Sequence, residues 1–138
     1  MPVIIPDTHR DLLERPIVAI LATIMPSGQP HTTVIWRYFD GTHIRFITSR
    51  GLQKERNMRT NPLVSVITPD PHNSERYLEI RGTVEEIIEA GAIEQLDQIT
   101  QLYTGKPTYY GHIEPAEDKG QRTHVICKIR PTKVVARG

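Results

Sequence analysis

The chain has 138 residues, 38% of them hydrophobic and 24% charged, which is ordinary for a globular domain with a core of its own. A formal net charge of +1 gives no overall pull toward nucleic acid or a membrane surface, so any basic site has to be local. The one cysteine, Cys127, excludes an intrachain disulfide and a cysteine zinc cluster; within Val125-Ile126-Cys127 it reads as a buried, inert thiol.

The start carries Pro2, Pro6 and Asp7 with no long apolar stretch behind them, so it does not read as a signal peptide. No run approaches the ~20 apolar residues of a membrane span, and the expected location is cytoplasmic. Asp7 or Thr8 can cap a short helix carrying Leu12 and Leu13, which Pro16 stops. Ile17 to Met25 is nearly continuous in apolar residues and predicts a central strand covered on both faces. After the turn at Pro26-Ser27-Gly28-Gln29, His31 to Phe39 predicts a second strand with Val34, Trp36 and Tyr38 on one face. Asp40-Gly41 then marks a tight hairpin into His43 to Thr48. A two-residue loop there would set Trp36 opposite Arg45 and Thr33 opposite Thr48.

The stretch from Ile47 to Pro62 draws most attention. It turns at Arg50-Gly51 and predicts a short helix ending before Pro62, crowded by Arg50, Lys54, Arg56 and Arg59 with Glu55 as its acid. Cations at a helix start oppose the macrodipole. The placement makes sense if an anion sits at the strand-to-helix corner, held by free N–H groups, the Thr48 and Ser49 hydroxyls and Lys54. A solvated basic helix face is the plainer alternative.

Leu63 to Thr68 predicts the next strand, broken by the Pro69 to Ser74 segment. Arg76 to Ile88 alternates with Leu78, Ile80 and Val84 on one face, and Gly82 marks a bulge or a close backbone approach. From Ala92 the period turns helical, with Ile93, Leu96, Ile99 or Thr100, and Tyr103 sharing a face before Gly105 and Pro107 stop it. Lys106 to Gln121 is a long loop, and Thr123 to Val135 a last strand bent at Pro131. No repeat, low-complexity tract or domain boundary interrupts residues 1–138. The expected fold is mainly β, a small, partly open barrel of six to seven antiparallel strands with two to three short helices, in one domain. Its edges and apolar outer face call for cover, which dimerisation supplies.

Little else carries chemistry. His9, His31, His43, His72, His112 and His124 show no metal spacing, so no metal is expected. There is no nucleophile elbow, Walker loop or Gly-x-Gly-x-x-Gly. Glu85, Glu86 and Glu89 read as solvated carboxylates at a strand end. Trp36 either stacks on a planar ligand or covers the core. Tyr109 and Tyr110, in the long loop, can close over a pocket or pack on a partner subunit. A basic helix beside aromatics is also a nucleic-acid pattern, but near-neutral charge and 6% aromatic content argue against it.

Ala19 to Thr23, Ser27 to Pro30, Phe46 to Ser49 and Lys54 to Pro62 together resemble the pyridoxamine-phosphate-oxidase-like superfamily of flavin and deazaflavin proteins. Pro71 to Val84, with Tyr103-Thr104-Gly105, resembles its branch of coenzyme F-420-dependent enzymes. The resemblance covers nearly the whole chain. It implies a split β-barrel homodimer with cofactor sites at the subunit interface. It also implies an oxidoreductase that moves a hydride between the deazaflavin and a small, planar conjugated substrate. Carried over by position, Ile47, Thr48, Ser49, Lys54 and Asn57 hold the cofactor phosphate, with Arg50 and Gln53 beside them, and Thr33, Val34 and Trp36 line the ring. Many relatives carry Gly-Arg or Pro-Arg where this chain has Gly51-Leu52, which leaves either Arg50 as a substitute or a weaker grip. FMN is the alternative cofactor. The vitamin B6 oxidases that use it carry a C-terminal arginine motif that Ile129 to Gly138 does not match, so oxidation of that vitamin is not expected. A non-catalytic binder of flavin, haem or another planar ligand is the other alternative.

Overall fold

The alternating segments join one antiparallel sheet in the computed structural model, which describes residues 3–138. Met1 and Pro2 lie outside the described residues. A 3-10 turn at Asp7–His9 leads into α1 (Asp11–Glu14), followed by β1 (Ala19–Ile24), β2 (Pro30–Ile35), β3 (Arg37–Phe39) and β4 (Ile44–Ser49). Then come α2 (Gln53–Thr60), β5 (Leu63–Asp70), β6 (Asn73–Ile88), α3 (Ala92–Thr104), a 3-10 turn at Ala116–Asp118 and β7 (His124–Arg137).

The sheet has seven strands in the order β2-β1-β5-β6-β7-β4-β3. β2 and β3 are separated in sequence by Trp36 alone, yet they lie at opposite edges. One residue cannot cross an open sheet whose neighbouring strands stand about 4.8 Å apart. The sheet therefore curls until its edges approach, which makes it the mainly β split barrel expected from the patterning. No helix among the described residues is long and apolar enough to cross a membrane.

Several local expectations are corrected. The segment from His31 to Phe39 is two strands rather than one. The Asp40 carboxylate accepts the N–H groups of Thr42 (2.8 Å) and His43 (2.6 Å), so the turn runs from Asp40 to His43. That shifts the register: Tyr38, not Trp36, faces Arg45, and Thr33 faces Leu21 on β1 rather than Thr48. β1 is not the central strand but lies next to the edge strand β2, and one chain packs only one of its faces: Ala19, Leu21 and Thr23 are buried, while Ile20, Ala22 and Ile24 stay half-buried. β5 continues through Pro69, where a bulge absorbs the missing donor, and β6 starts at Asn73. Glu85, Glu86 and Glu89 are exposed, as expected, and lie within ion-pair distance of His43, Lys128 and Arg50.

Gly82 behaves as the sequence predicts. A Cβ there would lie 2.5 Å from Ile129 Cγ2 and 2.7 Å from the Arg130 carbonyl, and the β6–β7 register shifts beside it. The core lies inside the curl, where Leu12, Leu21, Ile44, Phe46, Leu78, Ile80 and Ile129 pack together. Cys127 is fully buried among them, and burial pushes its thiol up to about 12, which fits an inert role.

The crossing from β2 to β3 is pinned by Arg37, which is 1% exposed. Its guanidinium donates to the carbonyls of Leu12 (2.5 Å) and Arg15 (2.8 Å). Its backbone N–H donates to the Tyr103 hydroxyl (3.0 Å), which donates in turn to the Arg37 carbonyl (2.6 Å). One side chain thus ties α1 and α3 to the crossing. Arg37→Met keeps apolar bulk but removes both carbonyl donors, and each buried group left unpaired costs ~1–3 kcal/mol. Urea denaturation should show a loss on the order of 3 kcal/mol. Wild-type stability in this variant would mean that the carbonyls find other donors.

Candidate functional site

The corner after β4 is built by Glu55. Gly51 takes φ +87°, a conformation open to glycine, and its N–H donates to the Glu55 carboxylate at 2.8 Å. Arg50 lies 3.8 Å from the same carboxylate, and Arg59 pairs with it one turn along α2. Burial alone would raise the Glu55 pKa, but the Gly51 N–H, Arg59 and Arg50 outweigh it and hold the carboxyl below its usual range. Two of the four cations in the basic stretch are therefore neutralised from within. Arg56 is engaged as well, donating to Gln53 Oε1 at 2.6 Å.

Lys54 is the exception. It is half-buried, and its ammonium donates to Thr33 Oγ1 on β2 at 3.2 Å. No carboxylate among the described residues forms an ion pair with it, and burial lowers its pKa. Beside it, Thr48 Oγ1 is buried without a hydrogen-bond partner. A lone half-buried ammonium and an unpartnered hydroxyl are a chemically incomplete pair that a phosphate or carboxylate would complete.

Both groups line a cavity of about 290 Å³. Val34, Trp36, Leu52, Leu96, Ile99 and Ile113 make its apolar walls, and Ile35 and Ile47 add to them. Thr48, Ser49, Lys54, Tyr109, Arg122 and His124 supply its polar groups. Trp36 stacks on Tyr103 with ring centroids 5.4 Å apart and planes 11° from parallel. Arg122 pairs with Glu114 at 2.5 Å.

Of the residues singled out from sequence, Val34, Trp36, Ile47, Thr48, Ser49 and Lys54 meet at this cavity. Thr33 sits behind it as the hydrogen-bond partner of Lys54. Arg50 does not line the cavity and pairs instead with Glu55 and Glu89. Gln53 and Asn57 bond to each other at 2.8 Å, and Asn57 donates to Thr23 Oγ1 on β1 at 3.0 Å, so both are taken up in packing α2 onto the sheet. Leu52, Leu96, Ile99, Ile113, Arg122 and His124 were not foreseen at the site. The two tyrosines of the long loop divide: Tyr109 lines the cavity, while Tyr110 is buried with its hydroxyl 2.5 Å from His124 Nε2. The one route to His124 from sequence is its cross-strand position opposite Ser49, and that needs the β4–β7 register.

Comparison with known proteins agrees with this architecture. The family model described as pyridoxamine 5'-phosphate oxidase matches residues 5–137. Among solved structures, an F420 reductase is 37% identical with a TM-score of 0.82, covering 95% of this chain and 98% of that one. A conserved hypothetical protein from Mycobacterium tuberculosis is 26% identical with a TM-score of 0.72, covering 98% and 86%. A curated pyridoxine/pyridoxamine 5'-phosphate oxidase from Aeromonas hydrophila is 29% identical over 76 residues, 54% of this chain but 36% of that enzyme. The match therefore spans about a third of the curated relative's length. A match to residues 5–137, together with the curled seven-stranded sheet, shows that the chain belongs to the pyridoxamine 5'-phosphate oxidase family.

Proposed function

We propose that this chain is an oxidoreductase that transfers a hydride between coenzyme F-420 and a small, planar conjugated substrate. The observation that carries the choice of cofactor is the likeness to an F420 reductase over nearly the full length of both chains. The cavity supports it: its lining combines an unpartnered Thr48 hydroxyl and a lysine without a carboxylate with apolar walls that include Trp36 and Val34. That is the donor set a phosphate-bearing, flat-ringed cofactor needs. FMN is the second reading, favoured by the family description and the curated oxidases. A non-catalytic role in binding flavin or haem is the third.

When bound, the deazaflavin supplies a hydride, and the protein supplies orientation and electrostatics. In this reading Thr48, Ser49 and Lys54 hold the phosphate. Thr33 fixes the Lys54 ammonium. Trp36, braced from behind by Tyr103, gives the ring a flat apolar neighbour, with Val34 and Ile47 beside it. Arg122 is a second cation for the negative tail. Arg50, Gln53 and Asn57 set the corner rather than touch the ligand. Equilibrium dialysis should show coenzyme F-420 binding more tightly than FMN at equal salt, and the reduced cofactor should be oxidised by at least one of a panel of conjugated aldehydes, ketones and quinones. Tighter FMN binding would move the function to the second reading, and binding without any oxidation to the third.

Lys54→Ala removes a charge-assisted bond of about 1.5–3 kcal/mol and should weaken deazaflavin binding roughly 10- to 150-fold, with melting of the free protein nearly unchanged. Since burial lowers the Lys54 pKa, wild-type affinity should also fall on raising the pH, earlier than an exposed lysine would allow. Arg59→Ala breaks a contact to buried Glu55 and should lower the melting temperature while leaving affinity alone. The opposite pattern would place the phosphate elsewhere.

The half-buried outer face of β1, with Val34 65% exposed and Leu63 56% exposed, supports a homodimer with its sites at the subunit interface. Light scattering across a dilution series should give twice the chain mass. A well-folded monomer at micromolar concentration would remove that interface.

A further inference from the structure

We propose that Glu114 gates the cavity: in the free protein its carboxylate occupies Arg122 and holds the neighbouring Ile113 at the wall, and an anionic group of the entering ligand takes Arg122 in its place. The inference rests on the reading above only in that the ligand carries an anion. That anion is a carboxylate of the negative tail or the cofactor phosphate, which offer a guanidinium the same chemistry. Two cations, Lys54 and Arg122, line the cavity, and among the described residues no carboxylate does. Lys54 has no acid competing for it, whereas Arg122 is already taken.

The contact that holds Glu114 is short but open to solvent. Arg122 and Glu114 lie 2.5 Å apart, with side chains 42% and 30% exposed. An ion pair that open to water is weak, so a ligand anion can displace it. The segment it fastens has little else to hold it. From His112 to Lys119 no residue is buried. Among the described residues, its backbone hydrogen bonds stay within residues 109–121. Thr108, which lies 3.0 Å from His112 Nδ1, belongs to the same loop. Gly111 (φ +97°) and Gly120 (φ +93°) bound the segment, and a Cβ at either would meet nothing within 4 Å. Ile113 is its residue on the cavity wall and is 41% exposed. Burial and the Glu114 charge both raise the Tyr109 pKa, which keeps that phenol neutral and out of the competition for Arg122.

Exchange of partners at Arg122 couples the ligand to the loop. With Glu114 on Arg122, the segment is fastened and the guanidinium is neutralised. With a ligand anion on Arg122, Glu114 is released to solvent, the segment loosens between Gly111 and Gly120, and Ile113 leaves the wall. Segments held by so few contacts open at low cost. A neutral ring of the same shape gains nothing from Arg122 and leaves the gate shut. Glu114 is thus a selectivity residue, since Arg122 answers only to an anion that binds it better than a tethered carboxylate does.

Two measurements test this. The first needs no cofactor: Glu114→Gln keeps the size of the side chain and removes its charge. Hydrogen exchange of the free variant should be faster than wild type at the amides of residues 111, 113 and 114, with β4 and β7 unchanged. Unaltered exchange in the loop overturns the gate whatever the ligands do. The second is equilibrium dialysis of coenzyme F-420 with Glu114→Gln, Arg122→Gln and the double variant. Glu114→Gln should bind about 2- to 5-fold more tightly, and Arg122→Gln roughly 5-fold more weakly. The double variant should bind as Arg122→Gln does, because Glu114 acts through Arg122. A gain that survives in the double variant is a general field effect and overturns the gate, as does a Glu114→Gln that binds no better than wild type. Bound coenzyme F-420 should speed exchange at the same wild-type amides, and protection there overturns the gate too. FMN carries the phosphate without the tail: a gain for the deazaflavin alone assigns the anion at Arg122 to the tail, and an equal gain for both assigns it to the phosphate. A wild type that binds neither cofactor overturns the proposed function and the competition at Arg122 with it, while exchange in the free variants still decides whether Glu114 fastens the loop.

Discussion

A buried guanidinium at the sheet crossing is the constraint on which the other features hang. Arg37 has no carboxylate among its described neighbours, and burial lowers its pKa. An arginine nevertheless stays charged, so its desolvation has to be met by hydrogen bonds alone. The Leu12 and Arg15 carbonyls and the Tyr103 hydroxyl provide them to its two terminal nitrogens, while Nε stays unpartnered. Because those acceptors belong to α1, the segment after it and α3, the charge can be satisfied only when all three are docked. The crossing thereby fixes Trp36, the single residue between β2 and β3, and Tyr103 stacks against its ring. The edge-to-edge closure of the barrel and the flat apolar wall of the cavity have one physical cause.

A second consequence concerns charge. The basic stretch looks like a uniform cationic face, and the plain reading of it is a solvated one. Glu55, 0% exposed, divides it instead. Its carboxylate collects Arg50, Arg59 and the Gly51 N–H, which settles the positive-φ turn and the start of α2 together. The helix start therefore has an acid near its N-terminus, as the macrodipole prefers. Of the two cations left without an acid, Arg56 is exposed and donates to Gln53, while the Lys54 ammonium turns toward β2 and not toward solvent. In the sequence all four cations are equally available to an anion, whereas in the structure Lys54 and the unpartnered Thr48 hydroxyl are the groups that line the cavity.

This explains how far the sequence could be read. Period and punctuation are local, so the alternation in β6, the helical period from Ala92, the stop at Gly105 and the close approach at Gly82 were all legible. The corner at Thr48, Ser49 and Lys54 was legible too, since a strand end and the helix after it are adjacent in the chain. What failed was register. The Asp40 side chain rewrote the hairpin by capping Thr42 and His43, and a two-residue shift moved Trp36 away from Arg45. Arg122 and His124 were invisible for the same reason: they reach the cavity only through pairing of β7 with β4, across about half of the sequence. The break at Trp36 could not be seen either, because nothing in Ile35-Trp36-Arg37 is a turn signal. It is imposed by where Arg37 must go.

The division between loop and sheet bears on how the site keeps its geometry. Ser49 and His124 are a cross-strand pair in the buried part of the β4–β7 ladder, so their separation is set by backbone hydrogen bonds and not by a flexible segment. Tyr110 and Tyr109 come instead from the long loop after α3, where Tyr109 N–H donates to Asp97 Oδ1 at 2.9 Å and Glu114 and Arg122 pair across it. The loop is thus anchored to α3 at one end and to the start of β7 at the other. Groups that must hold a fixed distance sit on strands, and the groups that close the cavity sit on a tethered loop. Since α3 also carries Tyr103, the same helix that answers the Arg37 charge positions the loop over Ser49 and His124. Docking of α3 is therefore the step at which the cavity acquires both its wall and its polar lining.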